Sequence, residues 1–153
     1  MAEGQLLAAA AAGAKAAATA AISRGADVNA QNADGLTALC VAAERGHIEI
    51  LDALLRQPRI DPVLCGENGW TPLMWAARNG HVRCVERLCG HFDPLAFINA
   101  SNANGSSALM IAATCGSAEM IEVLARAGAD LYARTGHSQS RSHRAPLESP
   151  AAD

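Results

Sequence analysis

A self-similarity with a period near 33 residues constrains this 153-residue chain more than any other feature. Junction glycines stand at Gly13-Ala14, Gly46-His47, Gly80-His81 and Gly116-Ser117, spaced 33, 34 and 36 residues. A second series, Gly35, Gly69 and Gly105, keeps intervals of 34 and 36. A double alanine precedes the later junctions at Ala42-Ala43, Ala76-Ala77 and Ala112-Ala113, with Ala9-Ala10 in an Ala-rich first unit. Periods of this length belong to stacked supersecondary units, none of which buries its apolar face alone. Four units in a row therefore make an array rather than a globule around one central core.

Composition points the same way. Half of the chain is hydrophobic, but 35 of those residues are alanine and only 3% of the chain is aromatic. Alanine favours helices and lets backbones approach closely, so the apolar surface must be buried between tightly packed helices. An all-β domain, a collagen-like fibre and a Cys-dense secreted scaffold are excluded.

Twelve Lys+Arg against fifteen Asp+Glu give a net charge of −3. The body of the chain carries no basic patch or stripe, so a nucleic-acid partner is not expected. The five cysteines (Cys40, Cys65, Cys84, Cys89, Cys115) are odd in number and irregularly spaced, which does not make a disulfide framework. Leu6 to Ile22 is mostly Ala, contains Lys15 and is only marginally apolar for a span. Glu3 stands where a signal peptide would carry a basic residue. The expected setting is reducing and intracellular, cytoplasmic or nuclear, with no membrane attachment and a monomeric chain. The sequons at Asn99 and Asn104 carry no meaning in that setting.

Within each unit the residues have local physical duties. Thr37, Thr71 and Ser107 are placed as helix N-caps, offering a side-chain oxygen to the first free backbone N–H groups. Pro72 follows at a first helical position, where its missing N–H costs nothing. Gly46, Gly80 and Gly116 close the short first helix. A second helix carries Ile50, Leu51, Leu54 and Leu55; then Cys84, Val85, Leu88 and Cys89; then Met120, Ile121, Leu124 and Ala125. That spacing lays one apolar stripe against the adjacent unit. Gly25 and Gly128 stop the second helix and open Gly-Ala-Asp runs.

These motifs resemble ankyrin repeats. Asp34-Gly-Leu-Thr-Ala-Leu-Cys-Val-Ala-Ala-Glu-Arg-Gly-His47 and Asn68-Gly-Trp-Thr-Pro-Leu-Met-Trp-Ala-Ala-Arg-Asn-Gly-His81 carry the resemblance, with Gly25-Ala-Asp-Val-Asn-Ala30 and Gly128-Ala-Asp-Leu131. It covers roughly residues 5–133 and implies an all-α solenoid of helix-turn-helix units joined by hairpin-like loops. The units run over about 5–31, 32–65, 66–101 and 102–133, forming one domain over 1–133. Cys40, Met74 and Met110 stand where the family usually has His, so the hydrogen bonds of that His are expected to be missing. Longer exits from units two and three hold Pro58, Pro62 and Pro94, which belong in turns. After Tyr132 the pattern ends, and 134–153 reads as a disordered tail poor in apolar residues.

Catalytic and metal readings find little support. Cys84, Cys89 and His91 lie close in sequence, but Cys84 aligns with Ile50 and Cys89 with Leu55, both stacking positions. Buried Cys acts as a small hydrophobe, and no tight Cys-x2-Cys pair exists. Both thiols are therefore expected to be buried and reduced, with Cys115 the most accessible. His47 and His81 belong to the Gly-His junctions. Nothing sets a general base beside a thiol, and the glycines follow the repeat rather than a phosphate loop. No enzyme activity, metal or cofactor is expected.

Recognition of another protein remains. The resemblance implies a concave groove formed by hairpin tips and inner helices. By register the tips are Asp34 and Leu36; Glu67, Asn68 and Trp70; Asn104 and Ser106. The inner-helix positions are Glu44 and Arg45; Arg78 and Asn79; Thr114. Trp and Arg are enriched among binding hot spots, which singles out Trp70 with Arg78; packing of Trp70 on its own hairpin or on Trp75 is the bland alternative. Trp75 aligns with Val41 and Ile111 and reads as packing. An adaptor or scaffold is the leading function. The regulatory array of a larger assembly, enzymatic or not, is an alternative that an incomplete C-terminal cap would mark. An exported effector is a further one, which would need an export signal.

Overall fold

The computed structural model describes residues 2–64, 66, 68–93 and 97–131. The tail expected over 134–153, with Tyr132, Pro94, Cys65 and Glu67, lies outside the described residues. Helices α1 (Ala2–Ala12) and α2 (Lys15–Ser23) form a first pair, and α3 (Ala38–Arg45) with α4 (Ile48–Leu55) a second. The third is α5 (Pro72–Arg78) with α6 (Val82–His91), and the fourth α7 (Ala108–Cys115) with α8 (Ala118–Arg126). The pairs stack in sequence order into two layers, an inner one of α1, α3, α5 and α7 and an outer one of α2, α4, α6 and α8. No strand forms among the described residues; the hairpin before α3 keeps an isolated antiparallel bridge between Gln31 and Thr37.

The expected caps form. The hydroxyl oxygens of Thr37, Thr71 and Ser107 accept from the backbone N–H groups of Cys40, Met74 and Met110 at 3.2, 3.3 and 3.3 Å. All three cap residues are buried, so no water replaces a lost cap, and each is worth about 1 kcal/mol. Pro72 opens α5 as expected. The end of α5 differs from its counterparts. Asn79 rather than glycine is its C-cap, and its side-chain amide donates to the Trp75 carbonyl at 2.9 Å. α1 starts at Ala2, ahead of the expected start of the first unit near residue 5.

The double alanines do what their size allows. Ala42, Ala43, Ala76 and Ala77 are wholly buried between stacked inner helices. In the last unit Ala112 is buried but Ala113 is exposed, because no described unit stacks beyond it. The outer stripes are buried at Ile50, Leu51, Leu54 and Leu55, at Cys84, Val85 and Leu88, and at Met120 and Leu124. Cys89 corrects the sequence expectation: it is half-buried. It borders a hollow between α6 and α8 that Gly90, Val123 and Ala127 also line.

Units are also tied by polar contacts. The His81 ring lies under Gly46, and its Nε2–H donates to the Glu44 carbonyl at 3.0 Å. The His47 ring packs under Gly13 in the same way. Ser117 takes the His place in the last unit and instead caps α8, accepting from Met120 N–H at 3.2 Å. The hydrogen bond expected to be lost at Cys40 is partly replaced, since its Sγ–H points at the Leu64 carbonyl at 3.6 Å. Farther along, Asn29 donates to the Arg59 carbonyl and accepts from Asp61 N–H, and Asn99 accepts from Asp130 N–H at 2.6 Å.

Candidate protein-binding surface

The loops between pairs set the candidate surface. In the first, Asn32 Oδ1 accepts from the N–H groups of Asp34 and Leu36, both at 2.9 Å, and Gly35 N–H closes the turn on the Asn32 carbonyl. The last loop repeats this arrangement: Asn102 Oδ1 accepts from Asn104 and Ser106 at 2.9 and 3.0 Å. A side-chain amide that satisfies two turn N–H groups fixes the tip without a strand ladder. The middle loop has Gly66 at the matching place. A Cβ there would lie 2.7 Å from the Asp34 carbonyl oxygen, so the absence of a side chain lets this loop close on the preceding one. Ala103 N–H then donates to the Asn68 carbonyl at 2.9 Å, tying middle loop to last. The three tips stand as a row.

Trp70 rises from the middle tip and Arg78 from the end of α5. The Trp70 and Trp75 rings meet at 4.8 Å between centroids, inclined by 38°. The Arg78 guanidinium carbon sits 5.8 Å from the Trp70 ring centroid, within cation–π range. Such an aromatic pair contributes about 0.5–1.5 kcal/mol beyond its buried area. Trp70 thus does pack on Trp75, yet it stays only half-buried, and its remaining surface faces solvent. Trp75 is half-buried as well, and its Nε1–H is buried without an acceptor among the described residues.

Two hollows meet at this Trp–Arg pair. The first, of about 430 Å³, is bounded by Asp34, Leu36, Asn68, Trp70 and Arg78, with Trp75 completing its wall. The second, of about 330 Å³, is bounded by Trp70, Arg78, Ser106 and Thr114, with Met110, Ile111 and Cys115 on its apolar side. The structure therefore gathers seven of the residues anticipated from register: Asp34, Leu36, Asn68, Trp70, Arg78, Ser106 and Thr114. Glu44, Arg45, Asn79 and Asn104 border neither hollow. Asn79 is held by its capping bond, and Glu44 lends its carbonyl to His81. Glu67 lies outside the described residues.

Trp75, Met110 and Ile111 line the hollows although register alone did not assign them to the surface. Trp75 both packs and lines. The signal available was its alignment with Val41 and Ile111, an inner-helix position between tip and helix end. Cys115 is exposed, and its Sγ–H points at the Arg78 carbonyl at 3.5 Å, across from unit four to unit three.

Two cysteines of the outer layer are held as neutral thiols by their surroundings. Burial pushes the Cys84 thiol up to about 11, with the Asp52 carboxylate adding to the effect, and burial alone pushes Cys89 to about 11. Metal ligation needs the thiolate. Among the described residues no three His, Cys, Asp or Glu side chains gather where a metal ion could sit. The His91 ring packs edge-on against Phe92 at 4.8 Å. No helix among the described residues is long and apolar enough to cross a membrane.

Known proteins share this pattern. A family model described as ankyrin repeats (3 copies) matches residues 6–95 and 58–135. Human ankyrin repeat domain-containing protein 63 is 37% identical over 135 residues, covering 84% of this chain and 35% of that protein. The Caenorhabditis elegans ankyrin repeat and KH domain-containing protein mask-1 is 34% identical over 72% of this chain and 4% of its own length. The mouse B-cell lymphoma 3 protein homolog is 32% identical over 74% and 25%. The chain spans about a third or less of the length of these relatives.

Proposed function

We propose that this chain, which belongs to the ankyrin-repeat family, is a non-enzymatic adaptor or scaffold that holds a partner protein on the surface between its loop tips and inner helices. Ankyrin repeats are in general protein–protein interaction modules without catalytic activity of their own. The observation that supports this surface is the meeting of two hollows at one half-buried tryptophan under one exposed arginine. A flat, rigid aromatic with uncovered area beside a guanidinium is the composition of an interface hot spot. Glu44, Arg45, Asn79 and Asn104 belong to the rim of the proposed surface, where single charges matter little.

The test is partner capture from cell extract by the wild-type chain, Trp70→Ala and Glu44→Ala, identified by mass spectrometry and followed by affinity measurement. Trp70→Ala should weaken binding of the captured partner at least about tenfold, as truncation of a desolvated Trp contact costs about 2 kcal/mol or more. Glu44→Ala should change affinity slightly and mainly at low salt. A partner whose affinity ignores Trp70 while the variant melts far below wild type would place the binding face elsewhere and leave Trp70 as packing.

A further inference from the structure

The two hollows are not chemically alike, and Arg78 stands between them. Arg78 is exposed and lies over the Trp70 ring, and among the described residues it forms no ion pair. A guanidinium held against an aromatic face keeps its in-plane N–H donors available, and their fork matches a carboxylate. On one side, the hollow between Trp70 and α7 has Met110, Ile111 and Cys115 for its apolar wall and no charge besides Arg78. On the other side, the Asp34 carboxylate lies at the edge of the hollow, which suits backbone N–H groups and repels a second carboxylate.

We infer that the groove selects an extended acidic–apolar peptide segment, with an Asp or Glu carboxylate on Arg78 and a large aliphatic or aromatic side chain in the hollow formed by Trp70, Met110 and Ile111. This rests on the reading of the groove as the binding surface and adds the chemistry of what it binds. In an extended chain alternate side chains lie about 6.6 Å apart and point to the same side. The acid and the apolar residue are therefore two positions apart, with the apolar one towards unit four.

A random twelve-residue peptide library displayed on phage and panned on the full chain tests this. Each enriched peptide is then synthesised and its affinity measured against wild type, Trp70→Ala, Arg78→Ala, Arg78→Lys and Arg78→Glu, with the melting temperature of every variant. The expected consensus carries Asp or Glu two positions from Leu, Ile, Met, Phe or Trp. Changing that acid to Asn or Gln should cost about tenfold, as should Arg78→Ala, and Arg78→Lys should restore only part because lysine lacks the planar fork. Arg78→Glu should instead enrich peptides with Lys or Arg at the acid's place. Peptides that need Trp70 but carry no acid and ignore Arg78 overturn this inference and leave the groove reading standing. Peptides indifferent to Trp70 in a variant that still folds, or no enriched peptide at all, overturn both.

Discussion

The junction between units two and three can be tested with one pair of glycines. Gly46 and Gly80 have the same left-handed backbone, φ +75° and +76°, so an added Cβ brings each the same conformational cost, about 1–2 kcal/mol. Their surroundings differ. A Cβ at Gly46 would lie 2.6 Å from His81 Nδ1 and 2.7 Å from its Cε1, whereas a Cβ at Gly80 meets nothing within 4 Å. The difference arises because the unit after Gly46 supplies His81 while the unit after Gly80 supplies Ser117. In Gly46→Ala the imidazole must move, and its hydrogen bond to the Glu44 carbonyl breaks; such a bond contributes about 0.5–1.5 kcal/mol net. Gly46→Ala should therefore destabilise by about 1 kcal/mol more than Gly80→Ala, an added drop of about 2–4 °C in Tm. Urea unfolding of both variants measures the difference. Repeating Gly46→Ala in a His81→Ala background makes it a double-mutant cycle: without the imidazole the two alanines should cost the same. Equal costs in the wild-type background would refute the idea that this ring couples the units.

Thiol labelling of the native chain should modify exposed Cys115 first, then half-buried Cys89, and buried Cys84 last; a reversed order of Cys115 and Cys84 by peptide mapping would contradict the stacking register. Because burial raises both outer-layer thiols to about 11, the stability they contribute is complete below the ordinary thiol pKa and is lost as pH rises through 11. Melting temperature should accordingly fall between pH 9 and 11, and less so in a Cys84→Ala, Cys89→Ala double variant. Leu88→Ala removes a side chain with 0% exposure in the middle of the outer layer and should cost about 2–5 kcal/mol in chemical denaturation.

What the sequence determined by itself was whatever depends on neighbours a few residues away. The caps at Thr37, Thr71 and Ser107 and the alternation of inner and outer helices follow from local bonds, and the 33-residue period multiplied that signal until the family was legible. The thin inner helices were legible too, since a double alanine leaves little else to bury. Register also placed Trp70, Arg78 and five other residues on one surface, because stacked units bring equivalent positions into a row. What only the tertiary structure decided depends on which unit lies next door. Gly66 shows its necessity only when the Asp34 carbonyl closes over it, and His81 acquires its bond only when Glu44 arrives from the preceding unit. Cys89 is half-buried because a hollow remains between α6 and the last unit, and that gap is set by residues distant in sequence. Trp75 became part of the surface because the gap between two stacked units opens onto its ring, and the size of such a gap is fixed by packing across units, which no local spacing records.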